Sequence, residues 1–222
     1  MKILSIGAHI GDAELMSGPF LVEMRSLGHD VTLLAFTAGE LGYPQLGPTK
    51  YKQQKIRENS KFCDLLGFKS VVFEDIGDLS LIPSLENVTR LRNVIFDGAF
   101  DLILGHWSGS IHPDHRAASD ITTRAAMQAS ISLKECRDKG LELKYCENWE
   151  DMEGFSISEY HQISQNSFGL WKDAIQVHQF TDGTFSGFRY VDYYTSLMTL
   201  RGCFSQSQFG IGLMESQIFR SN

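Results

Sequence analysis

The sequence lacks the patterns that mark a disulfide-rich or membrane-spanning protein. Its four cysteines include no C-x-x-C pair and no regular spacing, which predicts reduced thiols. No segment approaches the roughly 18 consecutive apolar residues of a transmembrane helix. The apolar opening MKILSIGA is interrupted by His9 and Asp12 before it could form the core of a signal peptide. We therefore expect a cytoplasmic protein with no membrane span.

Positive charge is also scarce. The chain has 20 Lys and Arg against 27 Asp and Glu, a formal net charge of −7, which argues against nucleic acid or anionic lipid as a partner. Neither a G-x-G-x-x-G pattern nor a P-loop follows the first predicted strand. A metal-free nucleotide-binding enzyme is therefore the least favoured of the functions considered. No Pro/Gly-rich linker divides the chain, and residues 1–222 are expected to form one domain.

The hydrophobic pattern alternates between short apolar runs and segments of helical periodicity. This alternation predicts an α/β fold of Rossmann-like type: a doubly wound, mostly parallel sheet with helices on both faces. Residues 134–165 are polar and weakly periodic, which suggests an insertion or lid. The predicted strands are 2–7, 31–36, 71–73 and 102–104, and the predicted helices are 12–27, 49–66, 84–97 and about 114–129.

Seven histidines are present, and three of them fall in two short clusters at equivalent places in this pattern. The first cluster, Ala8 to Glu14, reads AHIGDAE and lies where strand one turns into helix one. The second, His112 to His115, reads HPDH and follows strand four. Ligands of open α/β sheets bind beyond the carboxyl ends of strands, where strand order reverses. Both clusters are therefore expected to line one crevice.

Imidazole and carboxylate groups in such a crevice are suited to zinc. A catalytic zinc uses three protein ligands and keeps one position for water, whose pKa it lowers. His9 and Asp12 can approach a metal from one loop, and His115 can supply the third ligand from the facing loop. His112 and Asp114 would then position protons or stabilise an oxyanion. The simpler alternative is that Asp12 and Asp114 are only helix N-caps.

At these residues the sequence resembles the PIG-L/LmbE-like zinc-dependent de-N-acetylases, which have a Rossmann-like fold and act on N-acetylglucosamine-containing compounds. The first family signature is A-H-P-D-D-x-E, and the chain has A-H-I-G-D-A-E from Ala8 to Glu14. The second signature, H-P-D-H, is intact at His112 to His115. Weaker similarity covers nearly all of the chain except residues 134–165.

The resemblance implies a role for several residues. It assigns His9, Asp12 and His115 to the metal, and it makes His112 and Asp114 helpers of the transition state. Arg57 and Asp78 resemble the family's contacts to sugar hydroxyls; a surface ion pair for Arg57 and a turn for Asp78 are the alternatives. The implied cofactor is Zn²⁺, with another divalent metal as the alternative. The implied partner is a small amino-sugar conjugate, and a homo-oligomer is compatible with the resemblance. His106, just after strand four, is a further candidate for the crevice.

One position departs from the family pattern. The family's general base is the first Asp of A-H-P-D-D, and Gly11 stands there in this chain. General acid–base assistance contributes about 10²–10⁴ in rate, and the nearby carboxylates of Glu14, Glu40 and Asp114 are candidates to replace it. The expected function is zinc-dependent removal of an acetyl group from an N-acetylglucosamine-type conjugate. The alternative is a catalytically impaired relative that acts as a metal-containing sugar-binding or regulatory protein.

Overall fold

The computed structural model describes residues 1–134, 140–151 and 153–216. The strands are β1 (Lys2–His9), β2 (Asp30–Thr37), β3 (Lys69–Val72), β4 (Leu102–His106), β5 (Glu142–Cys146), β6 (Glu159–Ile163) and β7 (Phe209–Glu215). The helices are α1 (Asp12–Met16), α2 (Gly18–Ser26), α3 (Pro48–Leu66), α4 (Leu85–Gly98), α5 (Pro113–Lys134), α6 (Gln165–Ala174) and α7 (Tyr190–Ser205), with two short 3₁₀ helices at Ile175–Val177 and Gln179–Asp182.

The seven strands form one sheet in the order β3-β2-β1-β4-β5-β7-β6. The pairs from β3 to β5 are all parallel, whereas β7 is antiparallel to both β5 and β6. Strand order reverses between β1 and β4, which places the carboxyl ends of these two strands side by side. The predicted doubly wound, mostly parallel sheet is confirmed, and so is the placement of its switch point between the first and fourth strands.

The sheet is buried on both faces because alternate residues of each strand point to opposite sides. In β1, Ile3 packs on one side with α1, α2, α3, α6 and α7, whereas Leu4 and Ile6 pack on the other with α4 and α5. Helices therefore cover both faces, as the sequence predicts. Among the described residues, no helix is both long and apolar enough to cross a membrane.

Two local predictions are corrected. The single helix expected over residues 12–27 is two helices, because α1 ends at Met16 and Pro19 lies in the first turn of α2, where its missing N–H is tolerated. The segment 134–165, expected to be an irregular insertion, contributes β5 and β6 to the sheet. Its residues 135–139 and 152 lie outside the described part. A lid role for residues 134–165 stays a prediction.

Candidate metal centre

The carboxyl ends of β1 and β4 hold the histidines and carboxylates that the sequence places in one crevice. His9 is the last residue of β1, and Asp12 begins α1. The His9 N–H donates to Asp12 Oδ2 at 2.8 Å, so the turn itself holds the carboxylate beside the imidazole. His115 reaches the same point from the first turn of α5. The structure thus brings together the three residues assigned to the metal.

The three side chains are spaced as the ligands of one small cation would be. Asp12 Oδ2 lies 3.3 Å from His9 Nδ1 and 3.3 Å from His115 Nε2. A tetrahedral zinc site with bonds of about 2.0–2.1 Å separates neighbouring ligand atoms by about 3.3 Å. One ligand atom from each residue lies within 4.8 Å of the other two. The donor set and its spacing fit a divalent metal.

Both histidines present their other ring nitrogen to a carboxylate. His9 Nε2 lies 3.1 Å from Asp78 Oδ1 and 3.2 Å from Asp114 Oδ2. His115 Nδ1 lies 2.8 Å from Glu150 Oε2. Such partners fix the tautomer of a metal-bound histidine and increase its basicity. They leave His9 Nδ1 and His115 Nε2 as the nitrogens available to a metal.

The same neighbours shift the pKa values of the cluster. Burial alone would lower the pKa of His9, but the Asp12 charge and hydrogen bonds to Asp114, Asp12 and Asp78 raise it well above its usual value. Burial would also lower the pKa of His115, but the Asp12 charge and the hydrogen bonds to Asp12 and Glu150 outweigh it and raise this pKa to about 9. The pKa of Asp12 is held well below its usual value: burial would raise it, but His115 and His9 outweigh that effect. The centre is therefore arranged to hold positive charge.

A second group of possible ligands, His9, His112 and Asp114, shares one residue with the first. In that group Asp114 Oδ2 already accepts a hydrogen bond from the Leu79 N–H at 2.8 Å and lies beside His9 Nε2. That oxygen is therefore engaged as a support for His9. The first group is the better metal site.

His112 and Asp114 differ in what they offer the pocket. The His112 ring lines it, with its centroid 4.9 Å from that of His9 and 4.7 Å from that of His115. The Asp114 N–H donates to His112 Nδ1 at 3.2 Å, which leaves Nε2 to carry the proton of the neutral ring. Burial and the nearby His115 lower the pKa of His112, so this ring is neutral at pH 7. Asp114 instead contacts His9 Nε2, the ring nitrogen that is not offered to a metal.

The two expected sugar contacts separate in the structure. Asp78 lines the pocket, but Oδ1 faces His9 and Oδ2 accepts the Leu41 N–H at 2.9 Å. Arg57 is exposed and faces a separate surface groove. The structure does not bring Arg57 to this site, because it lies about 200° around α3 from the buried face that carries Lys55.

The cation that α3 contributes to the pocket is Lys55 rather than Arg57. It is only 4% exposed, and its Nζ lies over the Phe180 ring, 3.8 Å from the centroid. Burial lowers its pKa to about 8, against the opposing effect of nearby carboxylates led by Glu14 and Glu58. Lys55 was not identified from the sequence, although the helical spacing of α3 places it on the same inward face as Tyr51 and Phe62.

Gly11 has no room for the side chain that the family signature carries. Its φ of +109° is unfavourable for other residues, and a Cβ there would lie 2.5 Å from Phe180 Cζ. Two of the carboxylates that were candidates to replace the missing general base instead accept hydrogen bonds from backbone N–H groups. Glu14 Oε2 accepts the Gly11 N–H, and Glu40 Oε1 accepts the Asp78 N–H.

His106 lies behind the cluster and is fully buried. Its Nε2 accepts the Ala8 N–H at 3.1 Å and lies 3.2 Å from Asp12 Oδ2, while its ring stacks on that of His115 at 4.1 Å. Burial and the His115 charge lower the pKa of His106 to about 4. It packs against the metal-site residues as a neutral ring.

The pocket in front of the cluster has a volume of about 200 Å³, and six of its lining residues are aromatic. Rings with a polar edge can pack against a small ligand and also donate hydrogen bonds to it. Asn148 and Glu150 from the loop after β5 complete the rim. The aromatic side chains are Tyr51, Trp149, Phe180, Phe185, Tyr190 and Tyr194.

Together these features define an α/β protein with a histidine–aspartate cluster, suited to a metal, at the switch point of its sheet. The chain belongs to the GlcNAc-PI de-N-acetylase (PIG-L) family, whose sequence profile matches residues 4–126, more than half of the chain. The family predicted from the two signatures is thereby confirmed, and with it a deacetylase class. No curated protein sequence is significantly similar to this chain.

Solved structures share the fold at low sequence identity. The N,N'-diacetylchitobiose deacetylase of Pyrococcus horikoshii has a TM-score of 0.81 at 18% identity, covering 98% of this chain and 84% of its own. The 4-carboxy-2-hydroxymuconate hydratase of Pseudomonas putida has a TM-score of 0.84 at 17% identity, covering 100% and 98%. The pseudoaglycone deacetylase of the antimicrobial reagent A40926 has a TM-score of 0.74 at 15% identity, covering 99% of this chain and 98% of its own.

Proposed function

We propose that this chain is a metal-dependent amide hydrolase that removes an acetyl group from an N-acetylglucosamine-type conjugate. The observation that carries the proposal is the convergence of His9, Asp12 and His115 at tetrahedral spacing. Membership of a deacetylase family supports the reaction type. We propose Zn²⁺ as the cofactor, because two imidazoles and one carboxylate are a common donor set of catalytic zinc.

Zinc bound there would supply a water of lowered pKa and polarise the amide carbonyl. The protein's own residues do the rest. His112 can donate from Nε2 to the oxygen on which charge develops, because Asp114 N–H holds its Nδ1. Asp114 and Asp78 fix the His9 ring, and Glu150 fixes that of His115. In this geometry Asp114 is a positioning residue.

A proton acceptor is missing among the described residues of the pocket. Its lining carboxylates are Asp12, Asp78 and Glu150, and each already contacts a histidine of the cluster. Gly11 supplies none. Because such a group contributes about 10²–10⁴ in rate, we expect slow hydrolysis that depends on the metal.

The test is to load the protein with zinc and measure acetate release from a panel of N-acetylglucosamine conjugates. We expect about one zinc per chain and turnover that a chelator abolishes. His115→Ala should lose both metal and turnover, whereas His29→Ala should keep both, because His29 contacts the N-terminal amine at the amino ends of β1 and β2, away from the carboxyl ends that carry the cluster. Full zinc occupancy without chelator-sensitive acetate release would contradict the proposal.

The pocket also favours a second candidate, the addition of water to an unsaturated carboxylic acid. The specific observation is that the position of the deacetylase base is Gly11 and its space is filled by Phe180. The hydratase of Pseudomonas putida, which covers the whole of this chain, makes that reaction class a reasonable comparison. Such a reaction consumes water without releasing acetate.

One assay separates these functions. Zinc-loaded protein is incubated with 4-carboxy-2-hydroxymuconate, and loss of its conjugated absorbance is followed beside the acetate assay. Loss of absorbance without acetate release supports the hydratase. Zinc-dependent binding of the sugar conjugates with neither reaction supports the impaired sugar-binding relative described from the sequence.

A further inference from the structure

Lys55 is a buried cation that has no hydrogen-bonding partner among the residues that the structure describes. Among the described residues, no carboxylate lies within 4.0 Å of its Nζ and no acceptor forms a hydrogen bond with it, although the side chain is only 4% exposed. The exposed remainder faces the pocket that also contains His9 and Asp12. An ammonium removed from water without a partner is costly, so this position is built for a group that arrives from outside.

The neighbours of Lys55 stabilise its charge but leave its donors free. Phe180 lies beneath the ammonium, with the ring centroid 3.8 Å from Nζ, and a ring face attracts a cation without accepting all three of its protons. More distant carboxylates of Glu14, Glu58, Asp12 and Asp78 oppose the effect of burial on its pKa. At pH 7 Lys55 therefore keeps its positive charge.

Gly11 lies close to the ammonium. A Cβ at Gly11 would lie 3.3 Å from Lys55 Nζ, and Gly11 is bonded directly to Asp12. The ammonium therefore lies near the start of α1, and Lys55 lines the same pocket as His9 and Asp12. A ligand in this pocket can contact both Lys55 and the candidate metal ligands.

We propose that Lys55 binds a carboxylate of the ligand, so that the molecules accepted by this pocket are acids. The inference rests on the proposed function for the acetylated part of the ligand and adds the charged group that the same pocket selects. A carboxylate matches the one charge of Lys55, which is the only lysine or arginine among the described residues that line the pocket, whereas a doubly charged phosphate would exceed that charge.

Matched pairs of neutral and charged probes test the proposal by direct binding. The first pair is 2-acetamido-2-deoxyglucuronic acid and its methyl ester. The second is benzoate and benzamide, which are small enough for the carboxylate to reach Lys55 in any orientation. Calorimetry on zinc-loaded and metal-free protein gives the affinities. We expect the acid of at least one pair to bind about tenfold more tightly than its neutral partner in both forms.

Variants on one helix assign any preference to a residue. Lys55→Met keeps the length of the side chain and should abolish the preference, whereas Lys55→Arg should retain part of it. Lys50→Met is the matched control, since Lys50 is exposed on the same helix. Melting temperature and zinc content confirm that each variant is folded. The comparison of probes in the parent protein needs no variant and remains decisive if Lys55→Met fails to fold.

Equal affinities within both pairs, or a preference that survives Lys55→Met, would overturn the proposal. Tighter binding of glucosamine 6-phosphate than of either acid would also overturn it, in favour of a phosphate. Because these readouts are binding constants, they are separable from acetate release. A Lys55-dependent preference without acetate release means that the proposed hydrolysis is wrong while the carboxylate site stands.

Discussion

The Phe180 ring fills the space that a side chain at Gly11 would need: a Cβ at position 11 would lie 2.5 Å from Phe180 Cζ and 2.8 Å from Phe180 Cε1. The glycine and the ring are therefore a complementary pair. Replacing the glycine with aspartate meets both a crowded ring and a φ of +109°. Insertion of the family's base by this single change is not expected to produce an active geometry.

We expect Gly11→Ala to destabilise the protein by about 2–4 kcal/mol, because it combines left-handed backbone strain with a steric clash. The matched control is Gly28→Ala. Gly28 also has a positive φ, of +85°, but no atom lies within 4 Å of its hypothetical Cβ, so it reports strain alone. Urea unfolding of both variants measures the difference. Equal losses of unfolding free energy in the two variants would show that the Phe180 ring moves aside at no measurable cost.

The double variant Gly11→Ala/Phe180→Ala tests the pairing itself. If the clash is the main cost, removal of the ring should make the Gly11→Ala change less harmful than it is in the parent protein. The double-mutant cycle should show a coupling free energy of about 1 kcal/mol or more. Simple additivity of the two changes would contradict the complementarity.

The carboxylates behind the metal-site histidines should control metal affinity. We expect Glu150→Gln and Asp78→Asn each to weaken zinc binding by about 10- to 100-fold, because each removes the charge that orients a ligating imidazole. Competition with a fluorescent zinc chelator measures the affinities. Glu153→Gln is the control, since Glu153 is exposed on the same loop as Glu150. Unchanged affinity in both test variants would mean that these contacts do not support the site.

Zinc binding should release protons. The pKa of His115 is raised to about 9 and that of His9 well above its usual value, so the metal-free cluster carries extra protons at pH 7. A metal must displace them, and its apparent affinity should increase as the pH rises towards 9. Calorimetry in two buffers of different ionisation enthalpy counts the protons. We expect at least one per zinc at pH 7; none, with a pH-independent affinity, would refute the protonated state.

The first half of the fold and the convergence of His9, Asp12 and His115 were predictable because local and topological rules agree there. Apolar strands, glycine-terminated helices and two histidine clusters all identify the carboxyl ends of β1 and β4. The strands β5 to β7 were missed for physical reasons. In the edge strand β6 the residues alternate between partly buried and exposed, and β7 carries Gly210, where a Cβ would lie 2.9 Å from the Arg201 carbonyl oxygen.

The residues around the His9, Asp12 and His115 cluster were harder to predict than the cluster itself. Glu150 contacts His115 across a loop that no periodic pattern places, and its role depends on tertiary structure alone. Lys55 was in principle accessible, since the spacing of Tyr51, Lys55 and Phe62 puts all three on one face of α3. Arg57 resembled the family contact by neighbouring sequence, but helical geometry places it on the opposite face.

The central claim, that His9, Asp12 and His115 hold a divalent metal, is tested most directly by anomalous diffraction at the zinc absorption edge on crystals of the zinc-loaded protein. We expect one strong peak per chain, about 2.0–2.2 Å from His9 Nδ1, Asp12 Oδ2 and His115 Nε2. A peak bound instead by His112 and Asp114, or no peak in this pocket, would contradict it.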